Sequence, residues 1–176
     1  MLGIASLTAG CGDPQEVIES GTTGTNAQIG DLLLRNLQID EPSGPSYSPG
    51  ADPRVFLTIV NEGSRPDVLT RITSPAARSV EIRRDEDCDG TAEVLPRLAL
   101  PAQVDRTSPP NAPGPTRARY FLRLVDLVDT VPAGASVPLT FTFTGAGTTT
   151  VQAKVDLYGA GADADPSLEC TLIPSP

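Results

Sequence analysis

The sequence predicts an all-β protein, an antiparallel β-sandwich in which two sheets share one core. Its 176 residues include 16 Gly and 18 Pro, which favour turns and interrupt long helices. Short runs rich in Val, Ile, Leu, Thr and Phe recur between Gly, Pro, Asn and Asp, as they do in strands joined by tight turns. A hydrophobic content of 39% with 20% charged residues is typical of a globular chain, and this length suits a single core.

The first ten residues form a short, uncharged, apolar run that ends at Cys11. The run is too short to span a membrane, which takes about 20 residues, and too short for a complete secretory signal. We therefore expect residues 1–10 to be a signal-peptide remnant, with the natural start upstream of Met1. The small residues before Cys11 resemble a bacterial lipobox, whose cysteine receives acyl chains such as palmitate, although Thr8 stands where an aliphatic residue is usual. The alternative is an ordinary soluble segment that begins at an arbitrary methionine.

The next segment, residues 11–28, is rich in Gly, Thr, Ser and acidic residues and has little apolar periodicity. This composition predicts a flexible tether that follows the lipidated cysteine. The folded β-sandwich domain is expected to span residues 29–160, and residues 161–176 to form a C-terminal tail.

Eight strands are predicted along this domain. Alternation of apolar and polar residues is clearest in two of them. In one, Val55, Leu57 and Ile59 share a face; in another, alternate residues from Val137 to Phe143 do so. A glycine-containing stretch at 145–147 predicts a hairpin between the last two strands. The predicted strands are 29–39, 54–61, 67–72, 79–84, 93–100, 118–124, 136–144 and 148–157.

Two proline-rich stretches interrupt the strand pattern. Residues 41–53 contain four prolines and residues 101–117 contain five. Because proline has no backbone N–H, neither stretch suits a central strand, and both are predicted to be long surface loops. Such loops are either functional or simple crossovers at the edge of the sandwich.

The cysteine count of three is odd for an exported protein. Lipidation of Cys11 would account for one thiol and leave Cys88 and Cys170 free to form a disulfide. That bond would tie the C-terminal tail to the middle of the domain and stabilise the fold by about 4.5 kcal/mol. The alternative is that Cys88 and Cys170 are unpaired structural residues.

The acidic segment at residues 85–90 reproduces the opening of a calcium-binding loop. Asp85, Asp87 and Asp89 alternate and are followed by Gly90, a spacing that can wrap oxygen ligands around a hard cation. A complete loop has a bidentate Glu at its twelfth position, where this chain has Pro96. The segment is therefore either a partial Ca²⁺ site or a solvated acidic turn.

The residue inventory excludes several classes of function. Histidine is absent and the one methionine is Met1, which excludes serine–histidine triads, histidine zinc sites and Met/His copper sites. The one lysine, Lys154, lies in the middle of a predicted strand, and few aromatic residues are present to stack on sugar rings. A net charge of −9 repels nucleic acid. We expect neither an enzyme nor a nucleic-acid-binding protein.

Seven segments of the predicted domain together form a recognisable pattern. They are FLTIVN at 56–61, DVL at 67–69, TSPAA at 73–77, VEI at 80–82, VPAG at 131–134, VPLTFTF at 137–143 and VQAKV at 151–155. This pattern resembles the periplasmic copper chaperones of the PCuAC family over residues 29–157. The resemblance implies a cupredoxin-like, or immunoglobulin-like, β-sandwich. In that family His and Met side chains hold copper, and the matching positions here are Arg83, Phe121 and Arg123. Because none of these is a soft ligand for Cu(I), we expect copper carriage to be lost.

Within that group, the lipobox-like start, acidic tether, proline-rich insertion and missing ligands resemble the LpqE-type lipoproteins of actinobacteria. The resemblance implies a lipid-anchored protein on the outer face of the bacterial cytoplasmic membrane. Taken with the inventory, it predicts a non-enzymatic interaction or structural module of the cell envelope, without a cofactor and with an unknown envelope protein or ligand as partner. The alternative is an exported protein that binds Ca²⁺ or another hard metal through the acidic loop.

Overall fold

The computed structural model describes residues 24–85, 91–102 and 119–157, in which twelve strands and no helix occur. No part of this described chain forms a helix with the length and apolar character needed to cross a membrane. The strands are β1 (Thr25–Ile29), β2 (Leu32–Ile39), β3 (Ser46–Tyr47), β4 (Arg54–Asn61), β5 (Asp67–Thr73), β6 (Ala77–Asp85), β7 (Glu93–Leu95), β8 (Leu98–Leu100), β9 (Arg119–Leu127), β10 (Val131–Pro132), β11 (Ser136–Phe143) and β12 (Gly147–Val155).

Ten strands form one large mixed sheet in the order β7-β6-β9-β4-β2-β12-β11-β5-β8, with β1 also paired to β2. The two remaining strands, β3 and β10, form a small separate sheet. The large sheet curls so that β5 and β6, near its opposite ends, lie close together, which makes it nearly a barrel around one core. The predicted all-β class is thus confirmed.

One strand pair in this sheet is parallel, which the antiparallel prediction did not include. β12 runs alongside the C-terminal end of β2 through two residue pairs, Lys154 with Gln38 and Val155 with Ile39. The two halves of the curled sheet join at this short contact. The backbone N–H of Asp156 then donates to the carbonyl of Ile39 at 2.9 Å and extends the contact by one step.

The alternation predicted for β11 is confirmed, and its apolar face lies in the core. Leu139 and Phe141 are 0% exposed, and Val137 and Phe143 are 3% exposed. The rings of Phe141 and Phe143 stack with their centroids 6.4 Å apart. Because β11 lies between β12 and β5 within the sheet, this face packs against residues from both halves of the molecule.

The hairpin predicted at residues 145–147 joins β11 to β12, and a buried carboxylate holds its turn. Gly147 has φ +91°, a left-handed conformation that glycine adopts without strain. Asp67, 9% exposed, accepts the N–H groups of Gly145 at 2.7 Å and Ala146 at 2.8 Å, and that of its neighbour Val68 at 2.7 Å. Asp67 thereby links β5 to the turn.

The strands β4 and β9 separate soon after they meet. Arg54 and Val55 of β4 pair with β9. Beyond Val55, a side chain takes the place of the backbone hydrogen bonds between the two strands. The hydroxyl of Tyr120 accepts the backbone N–H of Ile59 at 2.8 Å. Burial raises the pKa of Tyr120, so the hydroxyl stays protonated at neutral pH. This contact satisfies a backbone donor that the diverging strand would otherwise leave unpaired.

Two predicted strands are each divided in the structure. The stretch 29–39 contains a turn at Gly30, whose φ of +53° ends β1 before β2 begins. The stretch 93–100 is divided at Pro96, and its two parts pair with different strands, β7 with β6 and β8 with β5. The first strand also starts earlier than expected, at Thr25, within the segment predicted to be the tether.

The first proline-rich stretch is a surface loop, as predicted, although parts of it pack against the body and it contains the short strand β3. Pro42 and Pro53 are buried, and β3 in its middle pairs with β10. The hydroxyl of Tyr47 donates to the carbonyls of Asp40 at 2.8 Å and Glu41 at 2.9 Å. Proline rings are apolar and need no N–H partner, so they bury readily once these contacts satisfy the backbone around them. Of the second proline-rich stretch, residues 103–117 lie outside the described residues.

Candidate functional site

The three positions that the resemblance aligned with copper ligands lie together on two neighbouring strands. In the β6–β9 ladder Arg83 stands opposite Phe121, and Arg123 stands opposite Glu81. Alternation turns the intervening residues, such as Ile82 and Leu122, into the core. The four aligned or facing side chains therefore share the other face of this strand pair, called here the arginine face.

A third arginine joins the arginine face from β4. Arg54 is the register partner of Arg123 on the side away from β6. Its guanidinium pairs with the carboxylate of Asp40, Nη2 to Oδ2 at 2.9 Å, and lies 5.4 Å from the ring centroid of Phe56. On β6 itself, the Nε of Arg83 donates to Oε2 of Glu81, two residues earlier, at 3.0 Å. Two of the three guanidinium groups are thus neutralised by carboxylates.

Arg123 lies between these two ion pairs in register, flanked by Arg54 on one side and Glu81 on the other. Its Nε is buried and has no hydrogen-bond partner. Arg83 already occupies Oε2 of the facing Glu81. The centre of the arginine face thus carries a guanidinium that the described residues do not neutralise.

The chemistry of these side chains is that of permanent cations around an aromatic ring. A guanidinium keeps its proton at every physiological pH and has no lone pair to give to a metal. The phenyl ring of Phe121 has no donor atom. Within the described parts of the chain, no group of three or more His, Cys, Asp or Glu residues is arranged to hold a metal ion.

Most of the other predicted site residues lie outside the described residues. These are Cys11, Asp87, Cys88, Asp89 and Cys170. Asp85 is described and ends β6 opposite Arg119. Lipidation, the disulfide and the calcium loop therefore stay predictions.

Sequence reasoning missed Arg54 and its partner Asp40 as members of the site. Arg54 lies on β4, 69 residues before Arg123, and Asp40 directly follows β2, 83 residues before Arg123. Sequence alone does not show that these residues are close to Arg123, because only the pairing of β4 with β9 places Arg54 beside it. The one available signal was the position of Arg54 at the start of a well-alternating strand, on the polar side of its pattern.

Comparison with known proteins gives one family and one fold. Residues 32–155 match the family model described as "Putative lipoprotein LpqE-like". No curated protein matches the chain.

Several solved structures share the fold. The copper-bound PCuAC domain from PmoF2 is 22% identical with a TM-score of 0.55, and the match covers 75% of this chain and 97% of that domain. The apo PCuAC domain from PmoF1 is 19% identical with the same TM-score, over 75% of this chain and 98% of the domain. A Cu(I)-bound protein from Deinococcus radiodurans is 18% identical with a TM-score of 0.50, over 79% of this chain and 84% of its own. These likenesses show a common cupredoxin-like β fold.

Proposed function

Because this chain belongs to the LpqE-like lipoprotein family, we propose that it is a lipid-anchored, non-enzymatic protein of the cell envelope that works as an interaction module. Its fold is that of the copper chaperones, but its role is not copper carriage. The observation that supports the loss of copper carriage is the composition of the arginine face. Arg83, Phe121 and Arg123 lie together there, and they are the residues that the family resemblance aligns with His and Met ligands.

Loss of copper binding follows from the chemistry of those residues. Cu(I) is a soft cation that prefers thioether, thiolate and imidazole ligands. Two positively charged guanidinium groups would repel it, and Glu81, which faces Arg123 in register, is a hard oxygen ligand already paired with Arg83. A protein with this face keeps a rigid β scaffold for presenting a surface to another molecule.

Purified protein with its thiols alkylated should take up no Cu(I) from a chromogenic Cu(I) chelator under anaerobic conditions. Alkylation matters because free cysteines are themselves soft ligands. As the matched control, the triple variant Arg83→Met, Phe121→His, Arg123→Met places soft donors at the three aligned positions and should withdraw copper from the chelator. Tight stoichiometric uptake by the unsubstituted protein would refute the proposed loss.

The lipid anchor is proposed at Cys11. Each buried CH₂ of an acyl chain contributes about 0.8 kcal/mol, so two chains hold a protein on a membrane where one gives only marginal binding. A protein that carries such an anchor stays with the membrane at high salt, because the attachment is apolar.

The Cys11→Ser variant should move from the membrane fraction to the soluble fraction or the medium, while Cys170→Ser, which also replaces a cysteine with serine, should stay with the membrane. Fractionation followed by immunoblotting measures the distribution. Mass spectrometry of the native protein should find Cys11 acylated, and an unmodified Cys11 in the membrane fraction would contradict the proposed anchoring.

A further inference from the structure

A groove of about 330 Å³ opens between β5 and β6, where the ends of the curled sheet approach each other. Its walls are residues 70–73 of β5 and 78–82 of β6, and residues 94–96 close one end. It lies at the edge of the strand pair that carries the arginine face. Its volume is at the low end of the range for ligand sites and suits a few residues of an extended chain.

Both walls of the groove are open strand edges. β8 pairs with β5 along Asp67–Leu69, and β7 pairs with β6 along Ile82–Arg84. After β7 the chain passes through Pro96 and crosses to β5, so it leaves the rest of each edge uncovered. Within the described residues, 70–73 of β5 and 77–81 of β6 have no partner strand on the groove side. Unpaired edges of this kind can template the addition of another strand.

The groove is basic in a chain of net charge −9. Arg71 on β5 is exposed and makes no ion pair within the described residues. Arg78 on β6 keeps 76% of its side chain exposed, although it pairs with Asp126. The acid in the wall, Glu81, is engaged by Arg83. At the closed end Val94 is 52% exposed and offers an apolar contact.

We propose that this groove binds an extended, acidic segment of a partner protein, which adds as a strand to the edge of β6 where β7 ends. β7 is antiparallel to β6, with Leu95 opposite Ile82, so an added strand of the same direction would begin opposite Glu81. Backbone hydrogen bonds would provide affinity, and Arg71 and Arg78 would select acidic side chains. This inference rests on the proposed function of the protein as an interaction module.

A competing explanation is that Arg71 and Arg78 protect the open strand edges from unwanted pairing. Charged residues beside an open edge prevent identical molecules from pairing edge to edge. The two explanations predict different behaviour of the same variant. If the arginines only protect, Arg71→Glu leaves peptide affinity unchanged; if they select the ligand, it weakens the binding of an acidic peptide.

The test uses the full-length protein in detergent and three fluorescent hexapeptides. The first alternates Glu and Val, the second alternates Lys and Val, and the third is the Glu peptide with alternate backbone nitrogens methylated, so that it cannot donate along one edge. We expect the Glu peptide to bind at least tenfold more tightly than either of the others. Non-specific attraction to a chain of charge −9 would favour the Lys peptide instead.

Variants and mapping complete the experiment. Arg71→Glu should weaken binding of the Glu peptide at least fivefold, whereas Arg65→Glu, an exposed arginine outside the groove, should leave it within twofold. Hydrogen exchange should slow at residues 77–81 when the Glu peptide is bound. Equal binding of the methylated peptide, preference for the Lys peptide, or protection elsewhere on the molecule would overturn the proposal. The peptide-binding and hydrogen-exchange measurements do not depend on copper uptake or on acylation of Cys11. A failure of the proposed groove can therefore be distinguished from a failure of the proposed function.

Discussion

Replacing Phe141 with alanine should lower the free energy of unfolding by about 3–5 kcal/mol. The side chain is 0% exposed and stacks on Phe143, on a strand flanked by β12 and β5. Removing the ring loses the free energy gained by burying it and leaves a cavity in the core. The cavity closes only partly, because backbone hydrogen bonds hold β11 to a neighbouring strand on each side. Urea unfolding followed by far-UV circular dichroism gives the change.

The matched control for this substitution is Val128→Ala. Val128 is 51% exposed, so its truncation should change the free energy of unfolding by about 0.5 kcal/mol or less. A loss below about 1 kcal/mol in the Phe141 variant would show that β11 does not occupy the centre of the core.

The Asp67→Asn variant should be less stable than the unsubstituted protein by about 2–3 kcal/mol near neutral pH. The carboxylate accepts N–H groups from Gly145, Ala146 and Val68. An amide in its place turns one acceptor into a donor that faces a backbone N–H and also removes the charge. The turn between β11 and β12 would lose its link to β5.

This contribution should depend on pH with a definite sign. Burial alone would raise the pKa of Asp67, but hydrogen bonds from the backbone N–H groups of Gly145, Val68 and Ala146 outweigh it and lower the pKa below its ordinary value. The stabilisation is therefore fully present above the pKa of Asp67 in the unfolded chain and is lost as pH falls through the lower pKa of the folded state. The stability difference between Asp67→Asn and the unsubstituted protein should shrink in acid.

Asp129→Asn serves as the control for this experiment, because Asp129 is exposed. Its stability should match that of the unsubstituted protein across the same pH range. A stability difference for Asp67→Asn that stayed constant down to strongly acidic pH would show that Asp67 acts by packing and not through its charge.

The parts of the fold that the sequence predicted well are those governed by local pattern. The bounds of β4 were predicted as the structure has them, since alternation from Val55 onward ends at a polar turn. The hairpin after β11 was predicted from its glycines. In both cases the deciding information lies within about ten neighbouring residues.

The parts that were missed depend on distant partners. Residues 93–100 read as one apolar run, yet they divide at Pro96 because the edges of β6 and β5 lie on opposite ends of the curled sheet. Pro42 is fully buried, whereas composition alone indicates an exposed position for a residue of a proline-rich stretch. Strand pairing likewise decides which residues share the arginine face.

The family resemblance supplied what local pattern could not for the candidate site. It selected Arg83, Phe121 and Arg123, which are 40 residues apart at the extremes and adjacent in the β6–β9 ladder. It did not select Arg54, which has no counterpart among the ligand positions of the resemblance. The groove between β5 and β6 was also missed, because it arises from what β7 and β8 leave uncovered.

The short parallel contact between β2 and β12 has a consequence for the order of events when the protein is made. β2 cannot complete this edge until β12, which ends at Val155, has left the ribosome. Contacts so distant along the chain form slowly, since a long loop must close before they contribute any stability. We expect the nascent polypeptide to remain open along this edge until β12 emerges, a state that suits the export proposed above.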